Sequence, residues 1–161
     1  FRHLRFKKMF FLKERIVLSF VSLNISNLCI EGISKAIISS QAPKLYISNI
    51  MTQPGETNDY DVYDHIKAIH QHAGEPFIDY VICSNDAFDE QILQRYKERN
   101  AHPVNMNKIK LTENHIKMIT SKNLVEVYDH VLVRHNTKVL ANLIYDLALE
   151  LTSTIQFKPK K

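Results

Sequence analysis

Residues 44–74, K-L-Y-I-S-N-I-M-T-Q-P-G-E-T-N-D-Y-D-V-Y-D-H-I-K-A-I-H-Q-H-A-G, decide the fold. The run begins with β-branched and aromatic residues, so residues 44–50 predict a buried strand. A polar loop at residues 52–59 follows this strand. Apolar residues then recur at helical spacing over residues 61–73, which predicts an amphipathic helix ending at Gly74. A strand, a polar loop and a helix in this order are typical of one unit of a parallel α/β fold.

The same alternation continues on both sides of this stretch. Short apolar runs predict strands, and helical spacing of apolar residues predicts helices. Residues 100–123 are ambiguous, and within them only a short helix at residues 112–120 is indicated. The other predicted strands cover residues 16–21, 77–83 and 124–128, and the other predicted helices cover residues 26–39, 87–99 and 137–151.

Polar residues stand where these helices should begin. Small polar side chains cap helices by accepting hydrogen bonds from the first free backbone N–H groups. Strands that are apolar throughout and alternate with helices predict a mostly parallel sheet with helices on both faces, a three-layer α/β fold. The candidate caps are Ser26 or Asn27 for the helix at 26–39, and Ser84, Asn85 or Asp86 for the helix at 87–99.

Composition indicates an ordinary globular domain. The chain has 161 residues, of which 45% are hydrophobic and 24% charged, with a net charge of +4. The excess of basic residues lies at the two ends without interleaved aromatic residues, so we expect solvated tails and no nucleic-acid partner. Cys29 and Cys83 fit no metal-ligand spacing, and both are expected to be small buried residues with reduced thiols, as in a cytoplasmic protein.

The N-terminal region loosely resembles a signal peptide. Residues 1–20 are basic and then apolar, but Lys13, Glu14 and Arg15 interrupt the apolar run and no small-residue cleavage site follows. The chain also lacks a run of about 18 apolar residues, so we expect no membrane span. It starts with Phe1 instead of methionine, as a piece of a longer protein would.

Parallel α/β sheets bind ligands outside the carboxyl ends of their strands. The segment after the strand at 44–50 therefore attracts attention, because Thr52, Gln53 and Thr57 supply neutral hydrogen-bonding groups. The Pro54-Gly55 turn is expected to expose backbone N–H groups beside a helix start, where an anion is favoured. The alternative is an ordinary connection rich in turn residues. No P-loop motif is present in the chain.

Two further groups of residues could contribute to a site. Asp64 and His65 are adjacent and cannot share a helical face, so they are not a catalytic pair by themselves. His65 either forms a partly buried bond to a neighbouring loop or reaches back to the loop at 52–57. Arg134 precedes a helix capped by Asn136 or Thr137, where it could share a phosphate with the helix start or form a surface salt bridge. A phosphate added at Thr137 would be tolerated electrostatically.

Metal and nucleophile chemistry have less support in the sequence. The histidines lack metal-ligand spacing, and His70-Gln71-His72 is best interpreted as a solvated helix end. The cluster of aspartates either holds magnesium or simply enriches a helix start in negative charge. No nucleophile motif is present. The aspartates concerned are Asp59, Asp61, Asp64 and Asp79.

Residues 44–74 resemble the signature region of the gluconeogenesis factor family, which is related to 2-phospho-L-lactate transferase. The segments I-S-N-L-C-I-E-G-I-S-K-A-I (25–37) and V-R-H-N-T-K-V-L (133–140) also resemble that family in order and spacing, so the match runs over residues 25–151. The resemblance implies a Rossmann-like fold, a cytoplasmic location and longer relatives with a glycine-rich nucleotide loop in their N-terminal half. It also implies binding of UDP-type sugars, a role in carbon metabolism and cell shape, and no settled catalytic activity.

Where family members carry G-P-G-S-L-Y-T-S, this chain reads S-F-V-S-L-N (19–24), so glycines that would let a phosphate approach the backbone are replaced. The chain therefore resembles a truncated or rearranged C-terminal half, with residues 1–15 unmatched, residues 16–155 as the domain and residues 156–161 as a basic tail. No cofactor and no metal are expected. The ligand-facing positions that we predict are Ser22, Asn49, Thr52, Gln53, Gly55, Glu56, Thr57, His65, Arg134 and Thr137.

Three functions remain open. The first is a regulatory protein that binds UDP-N-acetylglucosamine or UDP-glucose. Such a protein would not be an enzyme and could form homo-oligomers. The second is a transferase that moves a phospholactyl-type group from a nucleotide-diphosphate donor, with magnesium at the aspartate cluster. The third is a non-binding remnant, whose sign would be an exposed apolar patch where the rest of the fold should dock.

Overall fold

The computed structural model describes residues 17–20, 30, 32–129 and 132–156. Strands and helices alternate through most of this part of the chain. In chain order they are β1 Val17–Phe20, α1 Ile33–Ser39, β2 Lys44–Ile47, α2 Val62–Ala73, β3 Tyr80–Ser84, α3 Glu90–Lys97, α4 Lys108–Glu113, β4 Lys117–Ser121, β5 Val125–Tyr128, β6 Leu132–His135 and α5 Thr137–Gln156.

The main sheet has the strand order β1-β2-β3-β4, and every pair in it is parallel. In the central pair Tyr46 lies opposite Val81, and Val81 lies opposite Met118 of β4. Each connection between neighbouring strands carries at least one helix, as parallel pairing requires. The predicted parallel sheet is therefore confirmed.

Two separate cores lie on the two faces of this sheet. Alternate residues of β2 and β3 point to opposite faces, so Tyr46 and Val81 enter one core while Leu45 and Ile82 enter the other. Helix α2 covers the first face with Val62, Ile66 and Ile69, and α4 adds Leu111. Helix α5 covers the second face with Leu140 and Leu147. The predicted three-layer, Rossmann-like arrangement with helices on both faces is confirmed.

Helix α2 begins and ends where the sequence predicts. Asp61 is its N-cap: the Asp64 N–H donates to the Asp61 carboxylate at 2.8 Å, and the Asp61 N–H donates to the Asp64 carboxylate at 3.0 Å. This reciprocal capping box satisfies two N–H groups that the helix itself cannot bond. At the other end Gly74 adopts φ 90°, a left-handed conformation that glycine tolerates without strain.

Several predicted boundaries are wrong, each for a local reason. Helix α1 covers Ile33–Ser39 and is preceded by Gly32 with φ 86°, while residues 26–29 and 31 of the predicted helix lie outside the described residues. Helix α3 begins at Glu90, where the Asp89 side chain accepts the Gln91 N–H, so the cap is Asp89 and none of Ser84, Asn85 and Asp86. Strand β3 begins at Tyr80 because the N–H groups of Phe77 and Ile78 donate to the His70 imidazole.

The predicted helix at 112–120 is also wrong. Helix α4 ends at Glu113, and His115 follows with φ 60°. Residues Lys117–Ser121 then form β4, at the edge of the described sheet. Its side chains are exposed or only half-buried, so the strand lacks the apolar run that would have identified it.

The last predicted strand exists but belongs to a different sheet. Strand β5 pairs with β6 in an antiparallel hairpin, and Leu132–His135, expected to be a loop, forms the second strand. The buried Cys83 agrees with its prediction. Cys29, Ser22 and the proposed caps Ser26 and Asn27 lie outside the described residues. No helix in the described part of the chain is long and apolar enough to cross a membrane.

Candidate functional site

The candidate site lies at the carboxyl edge of the main sheet. Strands β2, β3 and β4 end there at Ile47, Ser84 and Ser121. The Ser48 N–H donates to the Ile82 carbonyl at 3.0 Å, which keeps the chain beside β3 as it leaves β2. Residues 48–61 then cross this edge and enter α2. The edge is where a parallel α/β sheet binds ligands.

Thr52 fastens this crossing segment to a distant part of the chain. The Thr52 N–H donates to the His102 carbonyl at 2.8 Å, and the His102 N–H donates to the Thr52 hydroxyl at 3.0 Å. The Val104 N–H donates to the Ile50 carbonyl at 3.0 Å, next to the bridge between Met51 and Pro103. Thr52 is buried, with 4% of the residue exposed, so this contact is structural.

The turn at residues 53–58 is closed by its own hydrogen bonds. The Gln53 N–H donates to the Thr57 hydroxyl, the N–H groups of Glu56 and Thr57 donate to the Gln53 carbonyl, and the Gly55 N–H donates to the Asn58 side chain, at 2.8 to 3.1 Å. The expectation that the turn exposes these four N–H groups to an anion is therefore wrong. The exposed side chains of the turn include those of Gln53, Pro54, Glu56 and Asn58.

Within the aspartate cluster, the Asp61 carboxylate is engaged by hydrogen bonds that stabilise the fold. The Asp61 carboxylate accepts hydrogen bonds from Asn107 at 2.6 Å and from Lys110 at 2.8 Å, besides the Asp64 N–H. Burial alone would raise the pKa of Asp61, but the hydrogen bonds from Lys110, Asn107 and the Asp64 N–H outweigh it and hold this pKa below its usual range.

Of the two alternatives for the aspartates, the structure favours the negatively charged helix start over a magnesium site. Asp79 lies at the opposite, amino edge of the sheet, where it accepts the Lys44 N–H at 2.7 Å. Asp59 is 93% exposed in its side chain and pairs with His102 at 3.1 Å. Within the described ranges, no group of three or more His, Cys, Asp or Glu side chains is arranged to hold a metal ion.

His65 is buried at the start of α2, with 1% of its surface exposed. Its Nδ1 lies 3.0 Å from the Asp61 carbonyl, and its ring meets Tyr60 edge-on with centroids 5.5 Å apart. Burial lowers the pKa of His65, partly opposed by the Asp61 carbonyl and the nearby carboxylates, so the imidazole is neutral at pH 7. Its bond runs one helical turn back, and a contact with residues 52–57 stays a prediction.

Asp86 joins the end of β3 to the start of β5. Its carboxylate accepts the Ser84 hydroxyl at 2.9 Å, the Asn123 N–H at 2.6 Å and the Val125 N–H at 2.9 Å. Sequence reasoning placed Asp86 at a strand end but assigned it to a helix cap. Its partners lie 37 and 39 residues away, and no local pattern identifies them.

His135 brings the second hairpin strand to the end of β2. Its Nε2 lies 3.1 Å from the Ser48 carbonyl, to which it donates. Burial lowers the pKa of His135, and the Ser48 carbonyl partly opposes that shift, so the ring is neutral at pH 7. His135 is not among the residues that the sequence predicts for the site. Its position directly after Arg134 was the only available signal.

Arg134 and Thr137 are both exposed near the start of α5. Side chains alternate along a strand, so Arg134 lies on the opposite face of the hairpin from His135. Arg134 forms no salt bridge with any residue that the structure describes, so the salt-bridge alternative is not observed. The N-cap of α5 is Asn136, whose side-chain oxygen accepts the N–H groups of Lys138 and Val139 at 3.1 Å, and Thr137 is the first helical residue.

The predicted ligand-facing residues thus fall into two groups. One lies in the segment between β2 and α2, and the other at the start of α5, with the contact of His135 and Ser48 between them. The first group is Asn49, Thr52, Gln53, Gly55, Glu56, Thr57 and His65, and the second is Arg134 and Thr137.

Comparison with known proteins identifies relatives over most of the chain. A family model described as "2-phospho-L-lactate transferase CofD" matches residues 15–124. The gluconeogenesis factor of Bacillus subtilis is 34% identical over 126 residues, which are 78% of this chain and 39% of the relative. A putative gluconeogenesis factor of Nostoc is 37% identical over 121 residues, 74% of this chain and 26% of the relative.

Solved structures agree with the sequence comparison. A crystal structure of a Bacillus halodurans protein superimposes with a TM-score of 0.70 at 33% identity, and the match covers 75% of this chain and 38% of that protein. The chain thus spans 39% or less of the length of the relatives compared here. A family model that matches more than half of the chain, a shared sheet architecture and relatives above 30% identity agree with one another: this chain belongs to the CofD family, beside the gluconeogenesis factors.

Proposed function

We propose that this chain contributes the carboxyl-edge part of a cytoplasmic, regulatory protein that binds a UDP-sugar, UDP-N-acetylglucosamine or UDP-glucose. In this proposal the bound ligand lies across the ends of β2 and β3 and links nucleotide-sugar supply to carbon metabolism and cell shape, as the resemblance to the gluconeogenesis factors implies. The protein acts by binding and is not an enzyme.

The contact of His135 with Ser48 carries the proposal. It holds His135, and with it the start of α5, against the end of β2, where the segment at 48–61 begins. Arg134 lies on the other face of the same strand, exposed to solvent next to this contact. A cationic side chain and a polar loop are therefore available at one edge of the sheet. A nucleotide sugar needs both, because its diphosphate carries negative charge and its sugar carries hydroxyl groups.

The residues at this edge can be matched to the two parts of a nucleotide sugar: positive charge to the diphosphate, and neutral or polar groups to the sugar and base. Arg134 has no ion-pair partner among the described residues, and a guanidinium pairs well with a phosphate in bidentate geometry. The N-terminus of the 20-residue helix α5 adds a favourable dipole for negative charge. The exposed side chains of Gln53 and Glu56 are suited to hydroxyl and amide groups on the sugar or base.

Calorimetry with the intact chain tests the proposal. UDP-N-acetylglucosamine and UDP-glucose should bind saturably, and Arg134→Gln should weaken binding about tenfold or more, since a charge-assisted contact contributes about 1.5 to 3 kcal/mol. Lys117→Gln is the matched control, because it removes one positive charge from the exposed amino end of β4 and should leave affinity unchanged. Absence of saturable binding at about 1 mM of either nucleotide sugar refutes the proposal.

A non-binding domain is the second candidate, and an exposed apolar face supports it. Tyr145 is 62% exposed and Leu149 is 49% exposed, one turn apart on the outer side of α5. Such a face suits docking of the rest of a longer fold or a second copy of this chain. If calorimetry detects no nucleotide-sugar binding and the sedimentation coefficient depends on protein concentration, this candidate is favoured over the first.

A transferase activity has less support. The family model carries that name, but the carboxylates proposed to hold magnesium are engaged elsewhere: Asp61 with Asn107 and Lys110, and Asp79 at the opposite edge. Transferase activity is therefore not part of our proposal.

A further inference from the structure

Strand β4 is an edge strand of the main sheet in the part of the chain that the structure describes. The Lys117 N–H donates to the Asp79 carbonyl at 2.9 Å, so the backbone groups of Lys117 face β3. Backbone hydrogen-bonding groups alternate in direction along a strand, as side chains do. Those of Met118 and Thr120 therefore point away from β3, and no described strand pairs with them. Each of these two residues offers one N–H donor and one C=O acceptor at this free edge.

An open groove of about 590 Å³ lies between α4 and the start of β4. This volume is within the range of ligand-binding clefts in proteins. Its lining residues are Lys108, Thr112, His115, Ile116, Lys117 and Met118. Met118 both lines the groove and carries backbone groups of the free edge, so the groove and the edge form one continuous surface.

The groove beside α4 is basic. Lys108, His115 and Lys117 are exposed, and none of the lining residues is acidic. Neither lysine forms a salt bridge with a residue that the structure describes. The acidic residues of the neighbourhood, Glu113 and Asp79, do not line this groove. Positive charge at the groove is therefore available to an acidic partner.

Two kinds of chain can pair with an exposed edge strand: a second copy of this chain or a segment of another protein. Lys117 begins β4 and Lys122 directly follows it, so both ends of the edge carry a lysine. If two copies paired in register, in either direction, a lysine of one copy would meet a lysine of the other and repel it. The same charges attract carboxylates, so the edge favours an acidic partner over a second copy.

We propose that the free edge of β4 and the groove beside α4 bind an extended acidic segment of a partner protein, which adds to the sheet as a further strand. Met118 and Thr120 supply the backbone hydrogen bonds, which give such contacts their affinity. Lys108 and Lys117 contact the acidic side chains and give the specificity. The groove lies at the amino end of β4, away from the carboxyl edge, so the proposal does not depend on nucleotide-sugar binding.

Calorimetry and hydrogen exchange measured by NMR on the intact chain test this proposal. The probe is a short peptide of alternating glutamate and valine, and the controls are a lysine-valine peptide and a fully N-methylated glutamate-valine peptide. We expect the probe to bind with a dissociation constant below about 1 mM and to slow exchange at the Met118 and Thr120 amides. The lysine-valine peptide should not bind saturably. N-methylation should weaken binding about tenfold or more, because it removes the backbone donors of the peptide.

Variants separate the contribution of charge from that of backbone pairing. Lys108→Glu combined with Lys117→Glu should weaken binding of the acidic peptide about fivefold or more. Lys138→Glu is the control, because Lys138 is exposed on α5, which covers the opposite face of the sheet, and it should leave binding unchanged. Thr120→Pro removes an edge donor and should also weaken binding; if this variant does not fold, the N-methylated peptide decides in its place.

Several outcomes would overturn the proposal. They are an acidic peptide that does not bind, three peptides that bind alike, and a double lysine variant that binds as well as the wild type. Sedimentation of the wild type that depends on concentration, and that Thr120→Pro makes independent of it, would also overturn the proposal in favour of a second copy at this edge.

Discussion

Replacing Asp61 with alanine should destabilise the protein strongly. One carboxylate caps α2 through the Asp64 N–H, accepts the Asn107 amide at 2.6 Å and pairs with Lys110 at 2.8 Å. Its residue is 8% exposed, so water cannot replace these partners freely. The substitution therefore removes a helix cap and the anchor of the segment that precedes α4.

The expected loss can be built from these contacts. Loss of an Asp N-cap costs about 0.5 to 2 kcal/mol, and loss of a hydrogen bond to a charged group costs about 1.5 to 3 kcal/mol. The Lys110 ammonium is solvent-exposed, and we assign it no separate contribution. The free energy of unfolding should fall by about 2 to 5 kcal/mol in total. For a chain of 161 residues this lowers the melting temperature by about 4 to 20 °C.

Urea unfolding followed by circular dichroism measures this loss. Asp61→Asn keeps a capping oxygen and loses only the charge, so its loss should be about half as large. Asp59→Ala removes a side chain that is 93% exposed and should change stability by less than about 0.5 kcal/mol. A loss below about 1 kcal/mol in Asp61→Ala would show that the contacts of this carboxylate do not stabilise the fold as argued.

Three further predictions follow from single contacts. The pKa of Asp61 is lower in the folded than in the unfolded chain, so its contribution to the free energy of unfolding is present above about pH 4 and is lost as pH falls through the folded pKa. In urea titrations at acidic pH, the difference in unfolding free energy between wild type and Asp61→Ala should therefore become smaller. Asp86→Ala should free the N–H groups of Asn123 and Val125, costing about 2 kcal/mol and raising amide exchange in the β5–β6 hairpin, whereas unchanged exchange would refute the link. Burial raises the pKa of Cys83 to about 12, so iodoacetamide at about pH 8 should leave Cys83 unmodified in native protein and alkylate it in urea, as peptide mass mapping would show.

The sequence predicted the central layers well because their signals are local. Apolar residues in β2 and helical spacing in α2 report directly on burial, and Asp61 and Gly74 report on the ends of α2. Edge elements lack such signals. Strand β4 is only half-buried, so its sequence lacks a strand pattern and a helix was predicted instead. Strand β6 is defined only by its pairing with β5.

The carboxyl-edge position of the segment after β2 was predictable, because it depends only on strand direction. Whether a ligand binds there stays a prediction. Strand direction could not show that the turn at 53–58 bonds its own N–H groups, because that depends on which side chains fold back. Nor could it show that Arg134 and His135 lie on opposite faces, because this depends on their belonging to a strand of the β5–β6 hairpin.

The carboxyl edge is ordered by contacts that need no ligand. Thr52 bonds His102 across 50 residues, Asp86 bonds Asn123 across 37, and His135 bonds Ser48 across 87. A site held in this way loses little conformational entropy when it binds, which favours affinity. The turn at 53–58 uses its backbone donors for its own hydrogen bonds, so recognition depends on side chains. If that is correct, substitutions at Gln53 and Arg134 should change which ligand binds, while the strand-to-loop framework stays intact.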